Sequence, residues 1–203
     1  MSGYSGKLIV LYGVNNIGKT TQTALLVSRL KEAGKNAFSM KAPLYDLKPS
    51  GPMINEYLRE GNPHELVPRE AQILYAMNRV QYESELVNRL EQGEWIVFED
   101  YWATSAAWGG ASGVSLDFLI QLNEYMYPPD LNILMAGTRF LSSVEEKHKH
   151  ERNTELADKA VSIFESLAKQ YSWPVVSANQ SIEQVHEDIW QIIVNRFKLD
   201  GVV

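Results

Sequence analysis

One short stretch near the start of the chain carries residue types that bind phosphate. Residues 13–20 read Gly-Val-Asn-Asn-Ile-Gly-Lys-Thr and match the pattern G-x-x-x-x-G-K-[ST] in full. Glycines let backbone N–H groups turn toward phosphate oxygens, the lysine brings a cation to the β- and γ-phosphates, and the hydroxyl binds Mg²⁺. Lys19 is therefore a predicted catalytic group and Thr20 a predicted metal ligand. The predicted nucleoside triphosphate site consists of Gly13, Asn15, Asn16, Ile17, Gly18, Lys19, Thr20 and Thr21.

Two adjacent carboxylates, Glu99 and Asp100, form a second candidate for chemistry. They follow the apolar run Trp95-Ile96-Val97-Phe98, which has the composition of a buried central strand. Two acids at the end of a buried strand beside a phosphate loop are costly without a cation. Either carboxylate could hold a Mg²⁺-bound water, so both are predicted at the metal.

The elements that position these residues alternate between apolar, β-rich runs and helical patterns. Such alternation is typical of βαβ units and a parallel sheet, and it predicts an α/β fold. The predicted helix over residues 69–92 rests on Ile73, Met77, Val80, Val87 and Leu90, which recur at helical spacing. Strands are expected near residues 7–12, 36–40, 95–98, 131–135 and 174–177, and helices near 19–33, 53–59, 69–92, 116–126, 142–171 and after Ser181, which has capping-box spacing to Gln184.

Composition limits the classes of protein to which the chain can belong. Its 203 residues, 45% hydrophobic and 22% charged, fit one globular domain over residues 1–203. A net charge of −6 argues against coating nucleic acid or an anionic membrane. The absence of cysteine excludes disulfides, thiolate zinc sites and a cysteine nucleophile. We expect a leaderless, soluble, cytoplasmic protein with no nucleic-acid or membrane partner.

Further stretches of the sequence resemble one known family. These are Ile73-Leu74-Tyr75-Ala76-Met77-Asn78-Arg79, residues 92–101 ending in Glu99-Asp100-Tyr101, Ala107-Trp108, and Pro129-Asp130-Leu131. With the phosphate loop, they resemble the thymidylate kinase family in order and spacing over most of the chain. The resemblance implies a doubly wound P-loop NTPase fold, with a five-stranded parallel sheet flanked by helices and a helical lid near residues 142–155. It also implies Mg²⁺-dependent transfer of the γ-phosphoryl group of ATP to thymidine monophosphate (dTMP), usually by a homodimer.

The resemblance places the residues that bind the base of the acceptor on one predicted helix. Tyr75 stands where the family places an aromatic that stacks on thymine, and Arg79 stands where it places an arginine that binds base and phosphate. Their i, i+4 spacing lets both reach one ligand. Gln72 lies at i−3 from Tyr75, shares that face, and could read a base edge.

Other acceptor contacts come from separate parts of the chain. By the resemblance, Lys41 stands where the family's second strand has an arginine for the acceptor phosphate. Thr104 falls on a base-contacting serine, and Trp108 falls on an aromatic that lines the same pocket. Asn15, in the phosphate loop, could bind the 3′-hydroxyl of the sugar.

The two acids depart from the family pattern, and two alignments are open. Without gaps, Glu99 replaces the catalytic aspartate and Asp100 replaces a phosphate-binding arginine. A shift of one residue makes Asp100 the catalytic aspartate, but the arginine is still missing. Because the phosphate loop contains no arginine, a mobile cation is expected from the basic stretch Lys147-His148-Lys149-His150-Glu151-Arg152, interpreted as a lid. Arg152 is the preferred catalytic residue, since by the resemblance it stands at a lid arginine of the family.

The missing arginine also keeps other functions open. The same fold could phosphorylate a deoxynucleoside or a modified pyrimidine monophosphate. A sugar hydroxyl, unlike a phosphate, needs a general base, and Glu99 would then have that role. A nucleotide-binding relative without transfer activity is the remaining alternative.

Overall fold

The structure, a computed structural model, describes residues 4–138 and 154–199, and this part of the chain forms alternating strands and helices. None of the helices within these ranges is long and apolar enough to cross a membrane. The strands are β1 (Lys7–Tyr12), β2 (Ala37–Lys41), β3 (Trp95–Glu99), β4 (Leu131–Ala136) and β5 (Val175–Ser177). The helices are α1 (Lys19–Glu32), α2 (Ser50–Arg59), α3 (Pro68–Glu91), α4 (Trp102–Ala111), α5 (Leu116–Leu122), α6 (Thr154–Gln170) and α7 (Ile182–Phe197).

The five strands form one parallel sheet in the order β2-β3-β1-β4-β5, which confirms the predicted sheet. Strand β1 lies between β3 and β4, so β2 and β3 are on one side of it and β4 and β5 are on the other. In the register of the sheet, Glu99 lies beside Leu11 on one side and Lys41 on the other. Because ligands of such sheets bind outside the carboxyl ends of the strands, this edge is where a site is expected.

Two clusters of apolar side chains hold the fold together. The main core surrounds the sheet, and residues 8–12 of β1 are completely buried within it. A smaller cluster lies between α2 and α3 around Ile54, Tyr57 and Leu74. Tyr75 packs against this smaller cluster, which therefore supports the helix that carries the predicted base-binding residues.

Helix α3 is confirmed, but three of the five apolar residues that predicted it do not face the core, whereas Leu90 is completely buried in it. Ile73 is 47% exposed, Met77 37% and Val80 55%. The buried side of the helix combines apolar residues such as Leu74 and Leu86 with polar ones such as Gln72 and Arg79. Hydrophobic periodicity therefore predicted the helix, but over its first half it did not predict the face that the domain covers.

Helix α4 was not predicted, because its small and apolar residues show no period. Most of its residues are buried, so no polar face marks it as a helix. Gly110 faces α6, and a Cβ there would lie 2.8 Å from Cδ1 of Ile163.

Helix α5 ends at Leu122, earlier than the predicted residue 126. Residues 142–153 of the predicted lid, including Arg152, lie outside the described residues.

Candidate active site

The phosphate loop joins β1 to α1 in a conformation that needs its glycines. Gly18 precedes α1 with φ 94°, and Asn16 also has a left-handed φ of 62°. A Cβ at Gly13 would lie only 2.7 Å from the backbone oxygen of Met135, and its φ is 146°. Both glycines are therefore fixed by backbone geometry, and the loop ends where α1 offers its first N–H groups.

Lys19 is held inside this loop. Its Nζ donates hydrogen bonds to the backbone oxygens of Gly13, at 2.8 Å, and Val14, at 3.0 Å. The side chain is buried, yet it lies in the wall of a cavity at the carboxyl edge of the sheet. The ammonium group is therefore positioned to meet phosphate oxygens that enter the loop.

The cavity measures about 580 Å³ and brings the predicted residues together. Of the predicted residues in the described ranges, Gly13 alone is not part of the wall. The assigned roles remain predictions, but the proximity is a property of the structure. The predicted residues that line the cavity are Asn15, Asn16, Ile17, Gly18, Lys19, Thr20, Thr21, Lys41, Gln72, Tyr75, Arg79, Glu99, Asp100, Thr104 and Trp108.

Glu99 connects the phosphate loop to β2. Its side chain is only 7% exposed, and Oε2 accepts a hydrogen bond of 2.8 Å from the Thr20 hydroxyl. Its Oε1 lies 2.7 Å from Nζ of Lys41. Burial disfavours the charged ammonium, but the hydrogen bond and charge of Glu99 outweigh it, so the pKa of Lys41 is raised. Both oxygens of Glu99 are therefore engaged, and Lys41 stays protonated at neutral pH.

Asp100 faces a different cation. The chain turns from β3 toward α4 at this residue, with a left-handed φ of 66°. Oδ2 lies 3.6 Å from Nζ of Lys19, and Oδ1 accepts a hydrogen bond of 2.8 Å from Thr104. Burial raises the pKa of Asp100, although the positive charge of Lys19 opposes the shift. The two acids thus have separate partners, Glu99 with Thr20 and Lys41, and Asp100 with Lys19 and Thr104.

The donor set at this edge fits Mg²⁺. The Thr20 hydroxyl and the Glu99 carboxylate are in direct contact beside the phosphate loop, and Asp100 follows Glu99 in the chain. Mg²⁺ prefers oxygen ligands and is usually held by one or two carboxylates together with phosphates and water. Thr20 and Glu99 are therefore suited to hold it, whereas Asp100 has Lys19 and Thr104 as its partners.

The far end of the cavity is built around a buried arginine. Arg79 is 3% exposed, and burial lowers the pKa of its guanidinium, although such groups remain protonated in proteins. It donates to Asn123 Oδ1 from Nε at 3.1 Å and from Nη2 at 2.7 Å, and from Nη1 to Ser105 Oγ at 3.0 Å. Gln72 is equally buried, and its Oε1 has no hydrogen-bond partner among the described residues. Arg79 and Gln72 can therefore offer polar groups to a ligand in this part of the cavity.

Several residues at the site were not predicted from the sequence. Tyr45 and Arg59 line the cavity, and the guanidinium carbon of Arg59 lies 4.8 Å from the centre of the Tyr45 ring. Ser105 was not predicted, because the helix that carries it, α4, was not predicted. Gln180 and Ile182 follow β5, and the rule that ligands bind beyond the carboxyl ends of strands could have indicated them. Nothing in the sequence pattern indicated Arg59 or Asn123.

Comparison with known proteins now decides the family. The family model described as thymidylate kinase matches residues 11–189, which is most of the chain. The chain belongs to the thymidylate kinase family. It is similar to human thymidylate kinase, with 31% identity over 194 residues that cover 93% of this chain and 90% of the relative. It is also similar to thymidylate kinase from Desulfotalea psychrophila, with 28% identity covering 93% and 95%.

A solved structure of thymidylate kinase from Candida albicans shares the fold, with a TM-score of 0.84 and 22% identity. The match covers 98% of this chain and 96% of that one. The doubly wound P-loop fold expected from the resemblance is thereby confirmed. Thymidylate kinases are phosphotransferases, so the resemblance also identified the correct enzyme class.

Proposed function

We propose that this thymidylate kinase family member transfers the γ-phosphoryl group of ATP to dTMP, giving ADP and dTDP. One observation carries the proposal: a single cavity contains both the phosphate loop and the predicted acceptor residues Lys41, Tyr75 and Arg79. A donor held at the loop and an acceptor held at the other end would meet beside Glu99. Positioning and electrostatic stabilisation supply most of the catalysis of phosphoryl transfer.

The acceptor phosphate fits the end of β2. A monophosphate has a second pKa near 6 and is largely ionised at neutral pH, so it needs positioning more than a general base. The Lys41 side chain is 58% exposed, and its ammonium group lies at the cavity wall, where an entering phosphate can meet it. Lys41 is therefore our candidate for the charge that the missing arginine would supply, assisted by the mobile cation predicted at Arg152.

The carboxylates then divide into two roles. Thr20 and Glu99 would hold Mg²⁺, because the hydroxyl and carboxylate already adjoin. When bound, Mg²⁺ neutralises negative charge on the β- and γ-phosphates. Asp100 contacts Lys19 and Thr104 rather than Thr20, so we assign it to positioning Lys19 at the edge of the metal site. These contacts favour the alignment without gaps, in which Glu99 takes the place of the catalytic aspartate.

The base and sugar complete the acceptor site. Tyr75 would stack on the thymine ring, with Arg79 and Gln72 at its polar edge and Trp108 and Thr104 in the wall. Asn15 would bind the 3′-hydroxyl. A nucleoside acceptor is disfavoured, since the proposed metal site already uses Glu99 and its Oε1 is paired with Lys41, which leaves no oxygen of Glu99 as a general base.

The assay that tests this function measures ADP formation from ATP, Mg²⁺ and dTMP, with dTDP identified as the product. We expect turnover that requires all three components. Lys19→Ala should abolish it, because the variant lacks the cation at the β- and γ-phosphates. Unchanged turnover in Lys19→Ala would contradict the assignment of the phosphate loop.

We also propose a homodimer that uses the exposed stripe on α3, formed by Ile73, Met77 and Val80. Three large apolar side chains at spacing i, i+4 and i+7 form a continuous ridge that a second copy could cover. Val80→Glu should shift the mass in solution from dimer to monomer, whereas Val175→Glu, at an equally exposed residue of the edge strand β5, should not. A wild-type protein that is monomeric at all concentrations would contradict this proposal.

The cellular setting is proposed from composition. A chain of 203 residues without cysteine suits a reducing compartment, and we place it in the cytoplasm. The net charge of −6 supports small-molecule substrates rather than nucleic acid or an anionic membrane as its partners. Recovery of the protein in a washed membrane fraction would contradict this assignment.

A further inference from the structure

Asn123 connects the end of α5 to the buried arginine of the acceptor site. It is the residue that follows α5, and it is 5% exposed. Its Oδ1 accepts two hydrogen bonds from Arg79, from Nε at 3.1 Å and from Nη2 at 2.7 Å. The described cavity wall includes Arg79 and Ser105 but not Asn123, which therefore acts from behind the site.

The orientation of the Asn123 amide is fixed by a second contact. Its Nδ2 donates a hydrogen bond of 2.7 Å to the backbone oxygen of Leu119, one turn earlier. Since the amide nitrogen faces this carbonyl, the amide oxygen must face Arg79. The helix therefore determines that an acceptor, and not a donor, meets the guanidinium.

The hydrogen bonds leave a defined part of the guanidinium for a ligand. Arginine has five N–H donors in a rigid plane. Nε and Nη2 donate to Asn123, and Nη1 donates to Ser105, so one N–H remains on each terminal nitrogen. All of these partners are neutral oxygens, so none of the described hydrogen bonds of Arg79 cancels its positive charge.

We propose that Asn123 is a positioning residue for acceptor specificity: it holds Arg79 so that the remaining N–H donors face a pyrimidine with a carbonyl at C4. A 4-oxo pyrimidine such as thymine accepts these hydrogen bonds, whereas the 4-amino group of cytosine presents a donor against a donor. The buried Oε1 of Gln72 adds an acceptor suited to the N3–H of the same bases. This inference rests on the proposed function, because it concerns the same acceptor site.

The decisive test is a double-mutant cycle on the KM for dTMP. In Asn123→Leu, Arg79 loses two hydrogen bonds, and we expect that KM to rise about 10-fold or more, as for lost hydrogen bonds to a charged group. The KM for ATP should change less than about twofold, and the preference for dTMP over dCMP should fall. In an Arg79→Met background, Asn123→Leu should have almost no further effect, since Asn123 acts only through Arg79.

Gln121→Leu provides the matched control. It removes an exposed amide from α5, two residues before Asn123, and should leave the KM values for dTMP and ATP unchanged. If Asn123→Leu does not fold, Asn123→Ala enters the same cycle, with thermal unfolding as the check on folding.

The outcomes separate this inference from the function on which it rests. An active wild type with an unchanged KM for dTMP in Asn123→Leu would overturn the positioning role alone. Effects of Asn123→Leu and Arg79→Met that multiply would overturn it as well, since they would show independent actions. A wild type that neither binds nor phosphorylates dTMP would overturn both the function and the inference.

Discussion

The adjacent acids at the end of β3 offer a direct test of how this site is arranged. Glu99 contacts the metal-binding hydroxyl of Thr20 and the ammonium group of Lys41, whereas Asp100 contacts Lys19. Glu99→Gln keeps the size of the side chain and removes its charge. We expect this change to impair the use of Mg²⁺, and the isosteric change Asp100→Asn to leave the use of Mg²⁺ intact.

The magnitude follows from these contacts. Loss of a group that supports a metal site through one of the metal's ligands costs about 10- to 100-fold in metal affinity or activity, and we expect an effect of this order for Glu99. The stability cost is smaller, because the Lys41 side chain is 58% exposed and an exposed ion pair contributes only about 0–1 kcal/mol. For a domain of this size, 1 kcal/mol corresponds to a Tm change of about 2–4 °C. Glu99→Gln should therefore lose activity without unfolding.

The assay measures kcat/KM for dTMP across a range of Mg²⁺ concentrations in wild type and both variants. For Glu99→Gln we expect a fall of about 10- to 100-fold at low Mg²⁺, partly recovered at high Mg²⁺. Asp100→Asn should stay within about threefold and require no extra Mg²⁺, because its partner Lys19 remains bound to the loop carbonyls. A loss confined to Asp100→Asn would refute the reasoning and favour the alignment shifted by one residue.

Three further changes test other parts of the site. Lys41→Met should raise the KM for dTMP about 10-fold or more with little change in Tm, and Lys41→Arg should restore it, as steady-state kinetics would show. Gly109→Ala places a Cβ 2.9 Å from Gln72 Cγ and should raise that KM, whereas Gly110→Ala, whose Cβ meets an isoleucine of α6, should lower Tm but not change KM. Because burial raises the pKa of Asp100, its ionisation destabilises the folded state as pH rises above the ordinary value of 3.8, so Asp100→Asn should gain more Tm over wild type at pH 7 than at pH 4.5. Unfolding curves that shift equally at both pH values would contradict this last expectation.

The sequence predicted elements well where local pattern and burial agree. The apolar run Leu8–Leu11 of β1 and the phosphate loop carry their signals within a few residues, and the structure confirms both elements. Helix α3 shows the limit, since the apolar residues Ile73, Met77 and Val80 are exposed while the polar Gln72 and Arg79 are buried. Helix α4 was missed because small residues packed on several sides produce no period.

The residues of the candidate site, too, were predicted where a local sequence pattern marks them and were missed where none does. Residues in a recognisable motif, such as Lys19, or next to the end of a strand, such as Lys41 and Glu99, were predicted and lie together in the cavity. Asn123 depends on a contact across 44 positions in the sequence, and no local pattern indicates such a partner. Arg59 ends an ordinary helix, and its direction toward the cavity follows only from how α2 packs on α3.

The central claim is that this chain phosphorylates dTMP. The most direct test compares thymidine, deoxyuridine and deoxycytidine, each as nucleoside and as 5′-monophosphate, with ATP and Mg²⁺, and identifies each product. The account predicts efficient conversion of dTMP to dTDP, weaker conversion of deoxycytidine monophosphate, and no conversion of the nucleosides. Turnover of a nucleoside without turnover of dTMP would contradict it.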